Sequence, residues 1–192
     1  RYGGQGAPLM PILDEYLYNT FDYCINLGGI ANLSTKRDGQ RIGYDICPCN
    51  QILNASALTM GLKYDKGGAQ ARKGQVDEAL LDQLNQWSFY QKEGPKSLSN
   101  AEIDDFFQEM IESNEYSAEQ LLATFSKHIA ERICAEIQDA NLTILLSGGG
   151  AMNTFLVENL REIRPDCSWT VPNHDIIHFK ECELMSFMGY LY

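Results

Sequence analysis

Apolar runs separated by turn residues predict a group of short strands near the start of the chain. Residues 23–27 and 30–35 are apolar runs on either side of a glycine pair, and residues 41–46 follow the hairpin signal Asp38-Gly39. Strands joined by such tight turns pair antiparallel, so the three segments predict a β-meander. The glycine pair is unexpected here, because glycine weakens a strand unless a turn or a close approach requires the bare backbone.

Helical periodicity dominates the rest of the chain. Ser99 with Glu102, and Ser117 with Gln120, are capping-box signatures, and Asn50 is a candidate cap for the helix after it. The predicted elements are helices at 13–20, 51–61, 76–87, 99–111, 117–138, 153–163 and 181–191, strands at 142–147 and 168–171, and a loop at 65–74. Strands come first and then alternate with helices, which predicts an α/β domain whose mixed sheet combines an antiparallel β-meander with a β-α-β-α unit.

Composition and charge reduce the number of binding-partner classes that we expect. The 192 residues are 44% hydrophobic and 21% charged, which is typical of a globular domain, and the formal net charge is −11. An acidic chain has no general attraction for nucleic acid or an anionic membrane surface, so we expect neither as a partner. No apolar run is long enough to span a bilayer. Any bound phosphate therefore has to be held by local backbone amides.

The cysteines are scattered through apolar segments and do not form a disulfide pattern. They are Cys24, Cys47, Cys49, Cys134, Cys167 and Cys182. We interpret them as reduced thiols of a cytoplasmic protein. The CPC sequence at 47–49 is half of a metal-ligand motif, but no second cysteine pair or histidine cluster accompanies it, so we do not expect a zinc site.

Two glycine-rich segments are candidates for ligand contact. NLGG at 26–29 is either a tight hairpin turn or a turn whose amides approach a phosphate, since only glycine lets the backbone come so close. SGGGAMN at 147–153 follows a predicted strand and opens a helix, whose N-terminal N–H groups suit anions. Its spacing is not that of the dinucleotide fingerprint, so the residues alone leave both a strained connection and a ligand site open.

Three charged residues are candidate site residues, and each of them also has a purely structural interpretation. Asp45 at a strand end is either a turn cap or an outer ligand of a hydrated Mg²⁺, which prefers carboxylates and water. Lys96 is by itself a surface lysine, and Glu183 is the polar edge of an apolar helix. The small residues of YDKGGAQARKG at 64–74 favour tight packing, and we interpret the histidines as structural.

Taken together, the motifs resemble one enzyme family. NLGGIAN at 26–32, YD-x-x-P-x-N at 44–50, YDKGGAQARKG at 64–74, SGGGAMN at 147–153 and ELMSF at 183–187 follow the order and spacing of anhydro-N-acetylmuramic acid kinase, and GGQGAPLMP, PKS and ATFSKHIA at 3–11, 95–97 and 123–130 extend the likeness. The resemblance implies one lobe of the RNase H-like, actin-type ATPase superfold, with helices on both faces of the sheet. In that superfold two lobes enclose an ATP cleft.

The resemblance also implies an activity and a set of site residues. ATP and Mg²⁺ would be the cofactors, and a small amino sugar would be hydrolysed at its 1,6-anhydro bond and phosphorylated on O6. The implied cofactor-binding residues are Asn26, Gly28, Gly29 and Asn32 at the phosphates and Gly148, Gly149, Gly150 and Asn153 at the nucleoside. Asp45 would approach the metal, and Lys96 and Glu183 would lie nearest the sugar.

The resemblance further implies that the chain is one lobe of a two-lobed protein. Residues 1–22 would be the inter-lobe segment and residues 23–192 the C-terminal lobe. NLGG at 26–29 would be the second phosphate loop. The N-terminal lobe, which we expect as a partner, would carry the other phosphate loop, and the catalytic base would precede Arg1. The 192 residues alone are therefore expected to be inactive, since phosphoryl transfer needs a closed cleft. A homodimer is compatible with the sequence.

Departures from the family pattern keep two alternatives open. The family has glycines where this chain has Cys47 and Cys49, and residues 98–102 read Leu-Ser-Asn-Ala-Glu in place of a Gly-Arg-Glu segment. One alternative is a non-catalytic sugar-binding or assembly module of the same fold. The other is a kinase or ATPase of the superfold with a different acceptor.

Overall fold

A single mixed sheet organises the chain. The computed structural model describes residues 9–92, 95–113 and 115–191, so residues 1–8 of the predicted inter-lobe segment lie outside the described residues. Within these ranges the sheet has five strands in the order β3-β2-β1-β4-β5. Their bounds are Tyr23–Leu27 (β1), Ile30–Arg37 (β2), Gln40–Pro48 (β3), Thr143–Ser147 (β4) and Ser168–Thr170 (β5).

Strand directions confirm the predicted fold class. β1 pairs antiparallel with β2, and β2 pairs antiparallel with β3, which is the meander. β4 pairs parallel with β1, and β5 pairs parallel with β4. A meander continued by parallel strands in this order agrees with the RNase H-like lobe that the sequence resemblance implies. All five strands lie within two residues of their predicted positions.

The helices follow the predicted pattern with corrections at their ends. Their bounds are Met10–Leu17 (α1), Asn50–Thr59 (α2), Glu78–Asn85 (α3), Asn100–Glu112 (α4), Ala118–Ala135 (α5), Thr154–Ile163 (α6) and His174–Leu191 (α7). The predicted loop at 65–74 contains two short 3₁₀ turns, at Lys66–Gly68 and Ala71–Lys73. The largest error is at α7, which begins seven residues before the predicted start at residue 181.

The N-terminal caps of the helices show which capping predictions were correct and which side chains make tertiary contacts instead. Ser99 and Glu102 form the predicted reciprocal capping box at α4. Ser117 accepts from the backbone N–H of Gln120, but the Gln120 side chain donates to Asp77 at 2.9 Å and does not close the second half of the box. The predicted Asn50 cap is wrong. Cys49 occupies the N-cap position, and no side chain caps the helix there.

Helices cover both faces of the sheet, as the resemblance implies. On one face, Ile25 and Leu27 of β1 pack in the main hydrophobic core with Phe125 and Ile129 of α5. On the other face, α1 packs against β2 and β3, and α7 packs against β4. Ser34 of β2 donates to Asp14 of α1 at 2.6 Å, for example. No helix in the described ranges is both long enough and apolar enough to cross a lipid bilayer.

Candidate functional site

Three chain segments meet beyond the carboxyl ends of the parallel strands β1 and β4. They are the β1–β2 turn with Gly28 and Gly29, the junction of β3 with α2, and the turn after β4 with Gly148–Gly150. Ligands of open α/β sheets bind in the crevice outside these strand ends. The structure therefore brings both predicted glycine segments together at the edge where a ligand is expected.

The β1–β2 turn is fixed by the first turn of α2. The carbonyl of Gly28 accepts from the N–H of Asn50 at 3.0 Å, and the carbonyl of Gly29 accepts from Cys49 and Gln51 at 2.8 and 3.1 Å. These bonds occupy N–H groups of α2 that would otherwise be free for an anion. Gly29 is exposed, and a Cβ added to it would meet no atom within 4 Å. The open side of the turn is thus accessible to a ligand.

Asn50 joins the three segments. Its Nδ2 donates to the carbonyl of Leu27 at 2.9 Å, at the very end of β1. Its Oδ1 lies 3.1 Å from the position that a Cβ on Gly150 would occupy. The residue predicted as a helix cap therefore acts through tertiary contacts, which no local sequence pattern would have indicated.

The three glycines after β4 have different structural roles. Gly148 has φ +75°, and a Cβ there would lie 2.5 Å from Asn26 Oδ1 and 2.8 Å from the backbone of Leu27. A Cβ on Gly150 would lie 2.7 Å from Leu27 Cβ. Gly149 is exposed, and its nearest neighbour would be 3.8 Å away. The outer two glycines permit close packing on β1, and the middle one leaves the surface open.

Beside these turns lies a cleft of about 770 Å³. Its floor and walls come from α2, from the segment before the first 3₁₀ turn and from the turn after β4. The lining residues are Asn50, Leu53, Asn54, Lys63, Tyr64, Asp65, Lys66, Gly67, Gly149, Gly150, Met152 and Asn153. Tyr64 and Met152 are exposed apolar side chains, and Lys63 and Lys66 are exposed cations. Apolar surface with a few polar groups and local positive charge suits a nucleotide.

Asp65 makes one wall of the cleft rigid. Its two carboxylate oxygens each accept from a backbone N–H, of Gln70 and Ala71, both at 2.9 Å. The same wall is bound to the start of α6, because Thr154 Oγ1 donates to the carbonyl of Gly67 at 2.9 Å. Asp65 is thus a loop-ordering residue. The predicted tight packing holds for the small residues of this segment, because Ala71 is buried and a Cβ on Gly74 would clash with the Glu119 backbone.

Asn153 stands where the glycine turn meets α6. It is the N-cap of that helix, and its Oδ1 accepts from the N–H of Leu156 at 3.3 Å. Its backbone N–H closes the preceding turn on the carbonyl of Gly150 at 3.0 Å. Asn153 therefore holds the helix N-terminus against the cleft that it lines.

The polar residues predicted from the meander lie in one row across the sheet. Asn26 is paired with Asn32, Asn32 with Asp45, and Asn26 on its other side with Ser147 of β4. Paired residues point to the same face, so these side chains share the face opposite the main core. Asp45 is tied to the loop beside β3, since its Oδ2 accepts from Leu98 N at 2.9 Å and from Ser97 Oγ at 3.3 Å.

The two residues predicted to contact the sugar do not lie at the glycine cleft. The Lys96 ammonium is 3.8 Å from a carboxylate oxygen of Glu136 and lies over the Phe89 ring, with its side chain 8% exposed. Glu183 on α7 accepts from the Tyr18 hydroxyl at 2.8 Å. Both side chains have internal partners, and their assignment to a sugar stays a prediction.

Neither departure from the family pattern lines the cleft. Cys47 and Cys49 are fully buried in the main core, and burial raises the pKa of the Cys49 thiol to about 12. Residues 99 and 102 instead form the capping box of α4. Among the residues described, no group of three or more His, Cys, Asp or Glu side chains is arranged to hold a metal ion.

Comparison with known proteins places the chain in a family. A family model described as "Anhydro-N-acetylmuramic acid kinase" matches residues 1–190. The chain is 33% identical over 195 residues to the protein of that name from Aliivibrio fischeri, covering 96% of this chain and 53% of that protein. It is also 33% identical over 174 residues to the one from Pseudomonas syringae pv. syringae, covering 85% and 48%.

Among solved structures, the activator of the 2-hydroxyisocaproyl-CoA dehydratase from Clostridium difficile with bound ADPNP superposes with a TM-score of 0.49 at 12% identity, covering 95% of this chain and 68% of that one. The chain spans about half the length of the curated relatives it matches. Because the family model matches residues 1–190, the chain belongs to the anhydro-N-acetylmuramic acid kinase family.

Proposed function

We propose that this chain is the C-terminal, nucleotide-holding lobe of an ATP-dependent kinase acting on 1,6-anhydro-N-acetylmuramic acid. The reaction opens the anhydro bond with water and transfers the γ-phosphoryl group to O6, giving N-acetylmuramic acid 6-phosphate for cell-wall recycling. The observation that carries the proposal is a cleft of about 770 Å³ that Gly149, Gly150 and Asn50 line in a chain of this family. The other glycine turn lies next to it, because the N–H of Asn50 donates to the carbonyl of Gly28.

The residues present fit a nucleotide. Gly148 and Gly150 keep side chains out of a junction that a Cβ would fill, while Gly29 and Gly149 leave backbone open to a ligand. The chain carries a net charge of −11, so attraction for phosphates has to be local. We assign it to the exposed backbone of the two turns and to Lys63 and Lys66, which lie on the cleft wall.

The assignment of Mg²⁺ rests on Asp45 acting through water. One of its oxygens already accepts two hydrogen bonds, and no cluster of three metal-ligating side chains is present in the described ranges. Mg²⁺ at kinase sites is held mainly by substrate phosphates and water with one or two carboxylates, which is compatible with a single outer carboxylate. When bound, the ion would neutralise charge on the phosphates, and Asn26 and Asn32 would orient polar groups beside it.

The catalytic base is not assigned to any residue of this chain. Phosphoryl transfer depends on positioning and charge stabilisation from both sides of a closed cleft. We propose that the N-terminal lobe of the family supplies the base and the opposing phosphate loop. Lys96 and Glu183, whose ionic and hydrogen-bonding groups have internal partners, would approach the sugar only after rearrangement.

Calorimetric titration with the non-hydrolysable analogue AMPPNP and Mg²⁺ tests the nucleotide assignment. Gly149→Leu places a side chain in the cleft without a close contact, so it is expected to abolish binding while leaving the fold intact. Gly189→Leu on α7, where an added Cβ would meet no atom within 4 Å, is the matched control, with expected wild-type affinity. Absence of binding to the wild type, or equal binding by Gly149→Leu, would refute the assignment.

A coupled assay tests whether the 192-residue chain is active without a second lobe. With ATP and 1,6-anhydro-N-acetylmuramic acid, the 192-residue chain is expected to form no N-acetylmuramic acid 6-phosphate above the enzyme-free blank. Product formation by this chain alone would show that a second lobe is not needed.

A further inference from the structure

A buried ion pair joins the two helices on the face opposite the main core. Lys180 Nζ of α7 lies 2.8 Å from Asp14 Oδ1 of α1, and the two side chains are 5% and 3% exposed. Burying two charges is costly, and well-packed apolar residues of similar volume usually serve stability as well or better. A buried pair at this place therefore calls for an explanation beyond holding α1 and α7 together.

The pair continues into the sheet at both ends. Asp14 Oδ2 accepts from Ser34 Oγ of β2 at 2.6 Å. Lys180 Nζ donates to Ser147 Oγ at 3.4 Å, and the ammonium also lies 4.8 Å from the centre of the Tyr18 ring. Ser147 is the fully buried last residue of β4 and directly precedes Gly148. One ammonium thus touches α1 and the strand end from which the glycine turn departs.

We propose that Lys180 is a positioning residue that couples the placement of α1 and α7 to the Gly148–Gly150 turn of the nucleotide cleft. This inference rests on the nucleotide function proposed for that cleft. The turn has little freedom of its own, because Gly148 is left-handed and packs without a Cβ against Asn26 and Leu27. A small shift of Ser147 would therefore displace the turn as a unit.

The geometry explains why a lysine is suited to this role. An ammonium has three donors on a flexible stem, so it can hold an anionic partner on one helix and a neutral acceptor on a strand simultaneously. A methionine at this position could fill the space but could not fix Ser147 relative to Asp14. A displacement of α1 and α7 would then be transmitted to the Gly148–Gly150 turn by packing contacts alone.

Four variants distinguish a role of Lys180 in positioning the glycine turn from a role in stabilising the fold alone. Ser147→Ala removes the acceptor of Lys180 together with the 3.4 Å bond that Ser147 Oγ donates to the Ile25 carbonyl, and it leaves the ion pair. The double variant Asp14→Asn with Lys180→Met removes both charges, so that neither is left buried and unpaired. Lys180→Arg is the conservative replacement. The control is Tyr18→Phe, which removes the hydroxyl bond to Glu183 between the same two helices and leaves Ser147 untouched.

Two measurements are made on each variant of the full chain. The first is amide hydrogen exchange at Ala151 and Asn153, whose N–H groups close the turn on Gly148 and Gly150. The second is the dissociation constant for AMPPNP with Mg²⁺. We expect Ser147→Ala and the double variant to speed exchange at both amides at least tenfold and to raise the dissociation constant at least fivefold. Lys180→Arg is expected to stay within twofold of wild type in both, and Tyr18→Phe to change neither.

Wild-type exchange and affinity in Ser147→Ala would overturn the inference, as would an equal effect of Tyr18→Phe. Should the double variant fail to fold, Ser147→Ala alone decides. Should the wild type bind no nucleotide, the proposed function of the cleft fails, and the exchange rates at Ala151 and Asn153 still decide whether Lys180 positions the turn.

Discussion

Replacing Gly148 by alanine should damage the fold at the point where the two glycine turns meet. Gly148 has φ +75° and ψ +166°, a region that is used essentially only by glycine and costs other residues about 1–3 kcal/mol. The new Cβ would also lie 2.5 Å from Asn26 Oδ1 and 2.8 Å from the Leu27 backbone. Overpacking of this kind costs about 1–3 kcal/mol. Together the two effects predict a loss of about 3 kcal/mol in the free energy of unfolding.

Gly29→Ala is the matched control for this prediction. Gly29 belongs to the other glycine turn, does not need a left-handed backbone, and has open space where its Cβ would be. The substitution should change the free energy of unfolding by no more than about 0.5 kcal/mol, as is usual for surface positions. If a ligand phosphate approaches this turn, the same methyl group should weaken nucleotide binding.

Equilibrium urea unfolding followed by circular dichroism measures both effects. A loss of about 3 kcal/mol with a slope near 2 kcal/mol per molar lowers the midpoint by about 1.5 M urea. The two variants are compared at the same pH and salt. Equal midpoints for Gly148→Ala and Gly29→Ala would show that the close contact of Gly148 with β1 is not a constraint. The proposed role of Gly148 in packing the turn on β1 would then be wrong.

Two further predictions concern groups that the structure buries. His128 is enclosed between Tyr90 and Asn85, and burial lowers its pKa from 6.5 to about 3, so only the unfolded chain takes up its proton below pH 6.5. The stabilisation is complete above pH 6.5 and is lost as the pH falls toward 3. Urea midpoints between pH 7 and 4 should therefore fall more steeply for the wild type than for His128→Gln, and equal slopes would contradict this. Asp65→Asn replaces one of two acceptors with a donor facing a backbone N–H, which should cost about 1–3 kcal/mol and speed exchange at Gln70 and Ala71. Unchanged exchange there would refute the loop-ordering role of Asp65.

Local chemistry was sufficient to predict much of the fold. Apolar runs and the Asp38-Gly39 turn located the meander, because a two-residue hairpin turn depends on its own residues. The Ser99–Glu102 capping box was also correct, since both partners lie within one helical turn. Errors arose where a distant group competed for a side chain. Gln120 bonds to Asp77 across 43 residues, and Asn50 bonds to Leu27 across 23.

The candidate site was predictable only in part, for the same reason. Glycines in two motifs indicated a place where backbone must be bare, and the parallel pairing of β1 with β4 brings them together. The wall at residues 63–67 was not expected to line a cleft. It reaches the site through the bond of Thr154 to Gly67, whose partners are 87 residues apart. The contacts of Lys96 and Glu183 are likewise long-range, so no sequence spacing could have indicated them.

The central claim is that the two glycine turns and the 63–67 wall form one nucleotide site. Two-dimensional ¹⁵N–¹H NMR of the 192-residue chain, titrated with AMPPNP and Mg²⁺, tests it most directly. The account predicts saturable shifts of the amides of Gly29, Tyr64, Gly149 and Asn153, with little change on the exposed surface of α4. Saturating nucleotide that leaves these amides unshifted, or that shifts a different surface, would contradict it.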